Sequence, residues 1–242
     1  MTKVDFKQFE GKIDLLIGGS PCQDLSIAGN RKGLVGERSG LFYKYVEALQ
    51  TIKPKYFLLE NNVGMPNEAY EEMSRLMGCY PVMINSALVS AQLRKRYYWT
   101  NIGEKEHDLF GFPTCAIPQP EDKHIYLQQI LTSGYADRIK ARCLLQSDSR
   151  PLKNIEKMLH RYYNTGFTTI VFEEKDNERS ARYLNQTELE RCQTLSNGYT
   201  AIFDRNKAAS LIGNGWTVDV IAHIFNFLKE DLEKTIDNQL TF

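Results

Sequence analysis

The sequence contains no run of eighteen apolar residues, so it holds no conventional membrane-spanning helix. Its opening residues, MTKVDFKQFEGK, lack the apolar stretch of a secretory signal, which argues against export. No CxxC pair occurs, and the five cysteines, Cys22, Cys79, Cys115, Cys143 and Cys192, are scattered and odd in number. That pattern excludes a zinc ribbon and a disulfide framework, no metal is expected, and a reducing cytoplasm is the simplest compartment. Neither sign of charge is in excess: Lys and Arg total 30 and Asp and Glu total 30, so the sum does not mark a nucleic-acid binder. Internal repeats and low-complexity tracts are absent, and so is GxGxxG, the glycine turn of dinucleotide sites.

What is present suits one large domain or a domain with a small appendage. Ile13 to Ile17, IDLLI, is a short apolar run that stops at Gly18-Gly19 and reads as a buried strand feeding a loop. A helix is expected from about Ser39, where Leu41, Phe42, Tyr45, Val46, Leu49 and Ile52 share one face and Pro54 forces an end. Tyr56 to Leu59 reads as a second buried strand with Glu60 at its tip. Asn67 to Met77 reads as a helix, and Val82 to Val89 and Tyr97 to Ile102 as further strands. This alternation predicts an α/β domain with a mostly parallel sheet. From Gly103 to about Asp176 the periodicity weakens. Within that stretch, Arg138, Lys140, Arg142, Arg150, Lys153, Lys157 and Arg161 face only Asp148 and Glu156, with Tyr162 and Tyr163 following, a patch suited to phosphates or simply a solvated surface. Thr187-x-x-Glu190 reads as a capping box, and a final helix is expected from Thr217 with Val218, Ile221, Ile224, Phe225 and Leu228 on its apolar side.

In open α/β sheets the reactive groups gather at the carboxyl ends of strands. Cys22, just past the first strand, and Glu60 occupy such places. Each alone has an ordinary structural explanation, but a thiolate nucleophile beside an acid is a working pair. Gln92, Arg94 and Arg96 alternate, so in an extended segment they share a face on which two guanidinium groups hold a phosphate or a carboxylate.

Taken in order, these pieces resemble the DNA (cytosine-5) methyltransferases. GGSPCQDLS (Gly18 to Ser26) is similar to that family's Pro-Cys loop, GLVGERSGLF (Gly33 to Phe42) to the segment after it, and Glu60-Asn61 to its Glu-Asn-Val motif. Gln92-x-Arg94-x-Arg96 is similar to Gln-x-Arg-x-Arg, RYLNQTELERCQTL (Arg182 to Leu195) to the penultimate motif, and GNGW (Gly213 to Trp216) to the closing one. VMINSALVSAQLRKRYYW is similar to the animal de novo and phage-type members. The resemblance implies an S-adenosylmethionine-dependent, Rossmann-like sheet with a small target-recognition region. It divides the chain into a catalytic part (1–102), a recognition region (103–177) and a C-terminal helical part returning to the catalytic domain (178–242).

The implied chemistry is methyl transfer to carbon 5 of a flipped cytosine in double-stranded DNA. Cys22 would attack carbon 6, Glu60 would hold and protonate nitrogen 3, Arg96 would contact the base and its phosphate, and Arg94 would support the loop. Pro21, Asn214 and Trp216 would meet S-adenosylmethionine. Gln23, Ser26, Arg142, Lys153, Lys157 and Arg182 would meet DNA, and the loop Asp24 to Glu37 would close over it. The setting would be the cytoplasm of a bacterial or phage-infected cell.

Two departures stand out. Asn62 follows Glu60-Asn61 where the family has valine, and the family's Phe-x-Gly-x-Gly loop and ribose-binding acid are missing before the Pro-Cys loop. A central strand would then stand as a bare apolar edge, which proteins cover. The expectation is a catalytic subunit of a split enzyme, completed by a second chain or by a homodimer partner. A non-catalytic regulatory or DNA-binding homologue and an inactive remnant stay open as alternatives.

Overall fold

The structure, a computed structural model, describes residues 4–20, 40–166, 168–175 and 178–240. It divides into two compact units, one of Met1–Ile84, Lys95–Gln119 and Ile224–Phe242, the other of Asn85–Arg94 and Pro120–His223.

The first unit is built on a four-stranded sheet of β1 (Leu15–Gly19), β2 (Tyr56–Asn62), β3 (Val82–Asn85) and β4 (Lys95–Thr100), in the order β1-β2-β4-β3. Helix α1 (Gly40–Ile52) lies between β1 and β2 in the chain and α2 (Asn67–Met77) between β2 and β3. Phe42, Tyr45, Val46 and Ile52 recur at helical spacing on α1 and are buried. Burial of each such side chain stabilises by roughly 1.5–3 kcal/mol. The Tyr45 hydroxyl lies 3.1 Å from the carbonyl oxygens of both Leu16 and Leu58, bridging β1 and β2, and burial raises its pKa. Gly18 passes beneath this ring, where a Cβ would come within 3.0 Å of it.

β1 and β2 run parallel, with Gly19 opposite Glu60, whereas β4 pairs antiparallel with β2. The sheet is thus mixed rather than mostly parallel. Residues 86–94 between β3 and β4 are too few for a crossover that keeps strand direction. β1 forms one edge of this sheet, and Ile17 on it is 46% exposed. An apolar hollow of about 360 Å³ opens beside it, walled by Phe6, Ile13, Leu16, Ile17, Leu41 and Tyr45 among others.

A short hairpin of β5 (Lys105–His107) and β6 (Pro113–Cys115) completes the first unit. Backbone bonds between Tyr80 and both Pro113 and Cys115 tie β6 to the turn after α2. That attachment is why residues 103–119 pack with the sheet.

The second unit holds α3 (Leu127–Ile130), α4 (Ile155–His160), an antiparallel pair β7 (Ile170–Lys175) and β8 (Glu178–Tyr183), then α5 (Gln186–Cys192) and α6 (Arg205–Asn214). It also holds the start of α7 (Val218–Leu240). Its core gathers Ala91, Leu127, Leu144, Val171, Leu189 and Ile212 with their neighbours. The capping box of α5 is Asn185 with Glu188, two residues earlier than the Thr187/Glu190 pair expected from sequence. Glu190 is instead buried and accepts from the amides of Gly198 and Thr200 and from the Thr200 hydroxyl, fixing the loop that follows the helix.

Candidate active site

Glu60 lies within β2, two residues before its end, rather than at the tip. Its partner across the antiparallel ladder is Tyr98, and Arg96 stands two residues along the same face of β4. Diagonal neighbours of this kind are within reach of long side chains. Arg96 Nε meets Glu60 Oε1 at 2.8 Å, with the two side chains only 15% and 12% exposed. The adjacent Asn61 is 1% exposed and donates from Nδ2 to Ser20 Oγ at 2.6 Å, while its Oδ1 accepts from the amide of Asn62. Asn62, standing where the family has valine, accepts from the Gly64 amide and closes the turn after the strand. Ser20 lies in the GGSPCQDLS stretch, but nothing local distinguishes it from any loop serine. Pro21, Cys22, Gln23 and Ser26 lie outside the described residues, as does the loop Asp24 to Glu37.

Arg94 and Arg96 do not form the shared anion cradle that their alternation suggested. Arg94 is 4% exposed, and its guanidinium donates to the carbonyls of Leu144, Gly213 and Gly215, all in the second unit. It is a brace for backbone, as a buried fork with several donors must be if its charge is to be tolerated. Gln92, fully buried, likewise turns inward, donating to the Cys192 carbonyl and to Gln193 Oε1.

Two of the carbonyls that Arg94 holds, Gly213 and Gly215, belong to the closing turn, Gly213 to Trp216. Gly213 is required there, because a Cβ would sit 2.9 Å from the Leu145 carbonyl carbon. Asn214 is exposed and Trp216 partly so.

The basic run divides into two groups. Arg138 stacks on the Tyr162 ring with its guanidinium carbon 3.9 Å from the centroid, and donates to the carbonyls of Thr168 and Tyr162. The Lys140 ammonium donates to the carbonyls of Ala87, Ser90 and Ile125, and burial pushes its pKa down. Both are therefore internal ties. Arg142, Arg150, Lys153 and Lys157 remain exposed, as does Tyr163.

Arg182, expected at DNA, is engaged within the unit: it pairs with Glu173 and Glu188 at 2.7 Å each and donates to Ser133. Burial acts to raise the pKa of Glu188, but Arg182 and the amides of Thr132 and Asn185 outweigh it and hold the carboxyl below its ordinary range. The fork thus joins β7, β8 and α5.

Among the described residues, the apolar hollow beside β1 has no carboxylate in its walls, and the side chains there with a polar group are Ser20 and Tyr45. It does not suit the ribose of a nucleoside, whose paired hydroxyls call for an acid. Among the described residues the closing turn is the part of the proposed cofactor set with polar and aromatic side chains to present.

Comparison with known proteins gives the family. The model of the C-5 cytosine-specific DNA methylases matches residues 1–135, more than half of the 242-residue chain. The orphan methyltransferase M.SPRI of Bacillus phage SPR is 48% identical over 67 residues, which are 28% of this chain and 15% of that protein. The type II methyltransferase M.NgoPII of Neisseria gonorrhoeae is 34% identical over 133 residues, 51% of this chain and 39% of that protein. The matched stretches thus span well under half the length of these relatives. In fold, the Entamoeba histolytica methyltransferase EhMeth superposes with a TM-score of 0.67 at 16% identity, over 95% of this chain and 81% of its own. The S. pombe Dnmt2 methyltransferase does so with a TM-score of 0.59 at 18% identity, over 96% of this chain and 83% of its own. Members of the matched family use S-adenosylmethionine as methyl donor. The chain belongs to the family of C-5 cytosine-specific DNA methylases.

Proposed function

We propose that this is the catalytic chain of a DNA (cytosine-5) methyltransferase. One observation carries the reading: the Asn61 amide is bonded to Ser20, at the head of the Pro-Cys loop, while the neighbouring Glu60 is held by Arg96. In the chain Cys22 follows Ser20 by two residues. Cys22 thiolate adds to carbon 6 of a cytosine turned out of the duplex. Glu60 protonates nitrogen 3 as that bond forms, so that negative charge does not build on the ring. Arg96 orients Glu60 and takes the phosphate beside the flipped base. Pro21, Asn214 and Trp216 would hold S-adenosylmethionine, whose methyl group would pass to carbon 5 with S-adenosylhomocysteine as the leaving group; loss of the carbon-5 proton would then break the bond to carbon 6 and release the Cys22 thiolate.

Arg142, Lys153 and Lys157 meet the DNA backbone, in the stretch 103–177 that serves as the recognition region; Gln23 and Ser26 approach the base from the Pro-Cys loop. Replacing Lys153 and Lys157 together with alanine is expected to weaken DNA binding. It should also flatten the salt dependence by roughly one unit of log–log slope per lost phosphate contact. An unchanged slope would mean that these lysines face only solvent.

The finer reading is that the enzyme is completed by another polypeptide. Its support is the edge of β1, where a parallel strand stands with Ile17 exposed above an apolar hollow. Among the described residues the closing turn is one part of a cofactor pocket, and affinity falls when ordering must accompany binding. Calorimetric titration of this chain alone is therefore expected to register weak or no S-adenosylmethionine binding. Transfer of labelled methyl to DNA should appear when a chain bearing the missing strands is added. Tight binding or turnover by this chain unaided would sink the split-enzyme reading in favour of a self-sufficient chain or a homodimer.

A further inference from the structure

Gln193 lies within the stretch Arg182 to Leu195, at the end of α5, and is 1% exposed. A carboxamide has two N–H donors and an oxygen that accepts twice, and here all four are taken. Its Nε2 donates to the carbonyls of Ile212 at 2.9 Å and Gly215 at 3.1 Å. Its Oε1 accepts from Gln92 Nε2 at 2.8 Å and from the Thr217 hydroxyl at 2.7 Å. The Thr217 oxygen lies 2.8 Å from Ser86 Oγ, which, with the Thr217 proton directed at Gln193, must be the donor. The direction of the amide is settled by its neighbours, since the two backbone carbonyls accept only. Gly215 O is thus gripped twice, by Gln193 and by Arg94.

We infer that Gln193 is a positioning residue: it fixes the shape of the closing turn, Gly213 to Trp216, and through that shape the cofactor contacts of Asn214 and Trp216. The second half of this statement rests on the proposed cofactor role of that turn. The first half does not. A buried side chain that merely filled space would be replaceable by one of similar volume. This one holds the carbonyl leading into the turn (Ile212), a carbonyl within it (Gly215) and the hydroxyl of the residue that follows it (Thr217), with the Gln92 side-chain amide as its remaining partner.

Gln193→Met tests this, because it keeps the volume and removes every polar contact. Amide exchange at Gly215 and Trp216 is expected to accelerate by about tenfold or more, since two buried carbonyls lose a donor. Exchange at Leu189 and Ala208, in the helices on either side, should stay as in the parent. Acrylamide quenching gives a second readout: of the two tryptophans, Trp99 is fully buried, so added quenching reports Trp216. Thr217→Val, a milder change that removes one donor to Oε1, should move both readouts the same way to a smaller extent.

S-adenosylmethionine affinity is then measured on the completed enzyme, with DNA affinity alongside. A freed turn with weaker cofactor binding and unchanged DNA binding upholds the whole inference. A freed turn with unchanged cofactor binding upholds the positioning and removes the cofactor role of Asn214 and Trp216. Unchanged exchange at Gly215 and Trp216 in both variants, or uniform loss of protection across α5 and α6, overturns the positioning role.

Discussion

In the preparation that transfers methyl groups, DNA carrying 5-fluorocytosine at the target is expected to leave a covalent protein–DNA adduct that survives denaturation, and Cys22→Ser to leave none. The fluorine blocks removal of the carbon-5 substituent, so the enzyme is caught with its nucleophile still bonded to carbon 6. Serine places an oxygen where sulfur was. Its hydroxyl holds its proton far more tightly than a thiol, and the attacking species is the anion. DNA binding should survive the exchange, which separates loss of chemistry from loss of the complex. Adduct formation by Cys22→Ser at the parental level would remove Cys22 from the mechanism.

Glu60→Gln should slow methyl transfer by about a hundred- to ten-thousand-fold, the usual worth of a general acid, with the melting temperature nearly unchanged. The glutamine keeps an oxygen for Arg96 Nε, so the contact across β2 and β4 survives in neutral form. It cannot deliver a proton to nitrogen 3. Glu60→Ala would confuse this test, because it strips Arg96 of an acceptor in a place where both side chains are largely covered. A structural role predicts the opposite order: a fall in melting temperature with turnover preserved per folded molecule. Single-turnover rates set beside thermal unfolding distinguish the two.

The helices and strands of the first unit were legible because their apolar residues recur at a clear period and stop at Gly or Pro. The bounds of α2, Asn67–Met77, fall where the pattern placed them. Strand ends were less legible. β3 stops at Asn85 because its side chain accepts from the amides of Ala87 and Arg94 and turns the chain, which a hydrophobic pattern cannot convey. The ordered motifs disclosed the family, but motif order does not say what each guanidinium touches. Arg94 binds carbonyls more than a hundred positions away, at Gly213 and Gly215. The motif suggests Arg182 as a DNA contact, and only the pairing of β7 with β8 brings Glu173, two residues along from Val171 opposite, within reach of its guanidinium. Gln193 lies in a motif-like stretch, but nothing local names its partners, which come from Gln92, Ile212, Gly215 and Thr217.

The bridge made by Tyr45 bears on the kinetics of assembly. Because its hydroxyl spans Leu16 and Leu58, and Gly18 lets the ring lie against the strand, β1 is held in place from the inner side of the sheet. A polypeptide that pairs with the outer side would meet a strand already extended and in register, and would not have to order it. Encounter should then proceed at the speed of rigid docking, about 10⁵–10⁷ M⁻¹ s⁻¹, and the lifetime of the complex should follow from how much of the apolar hollow the incoming chain fills.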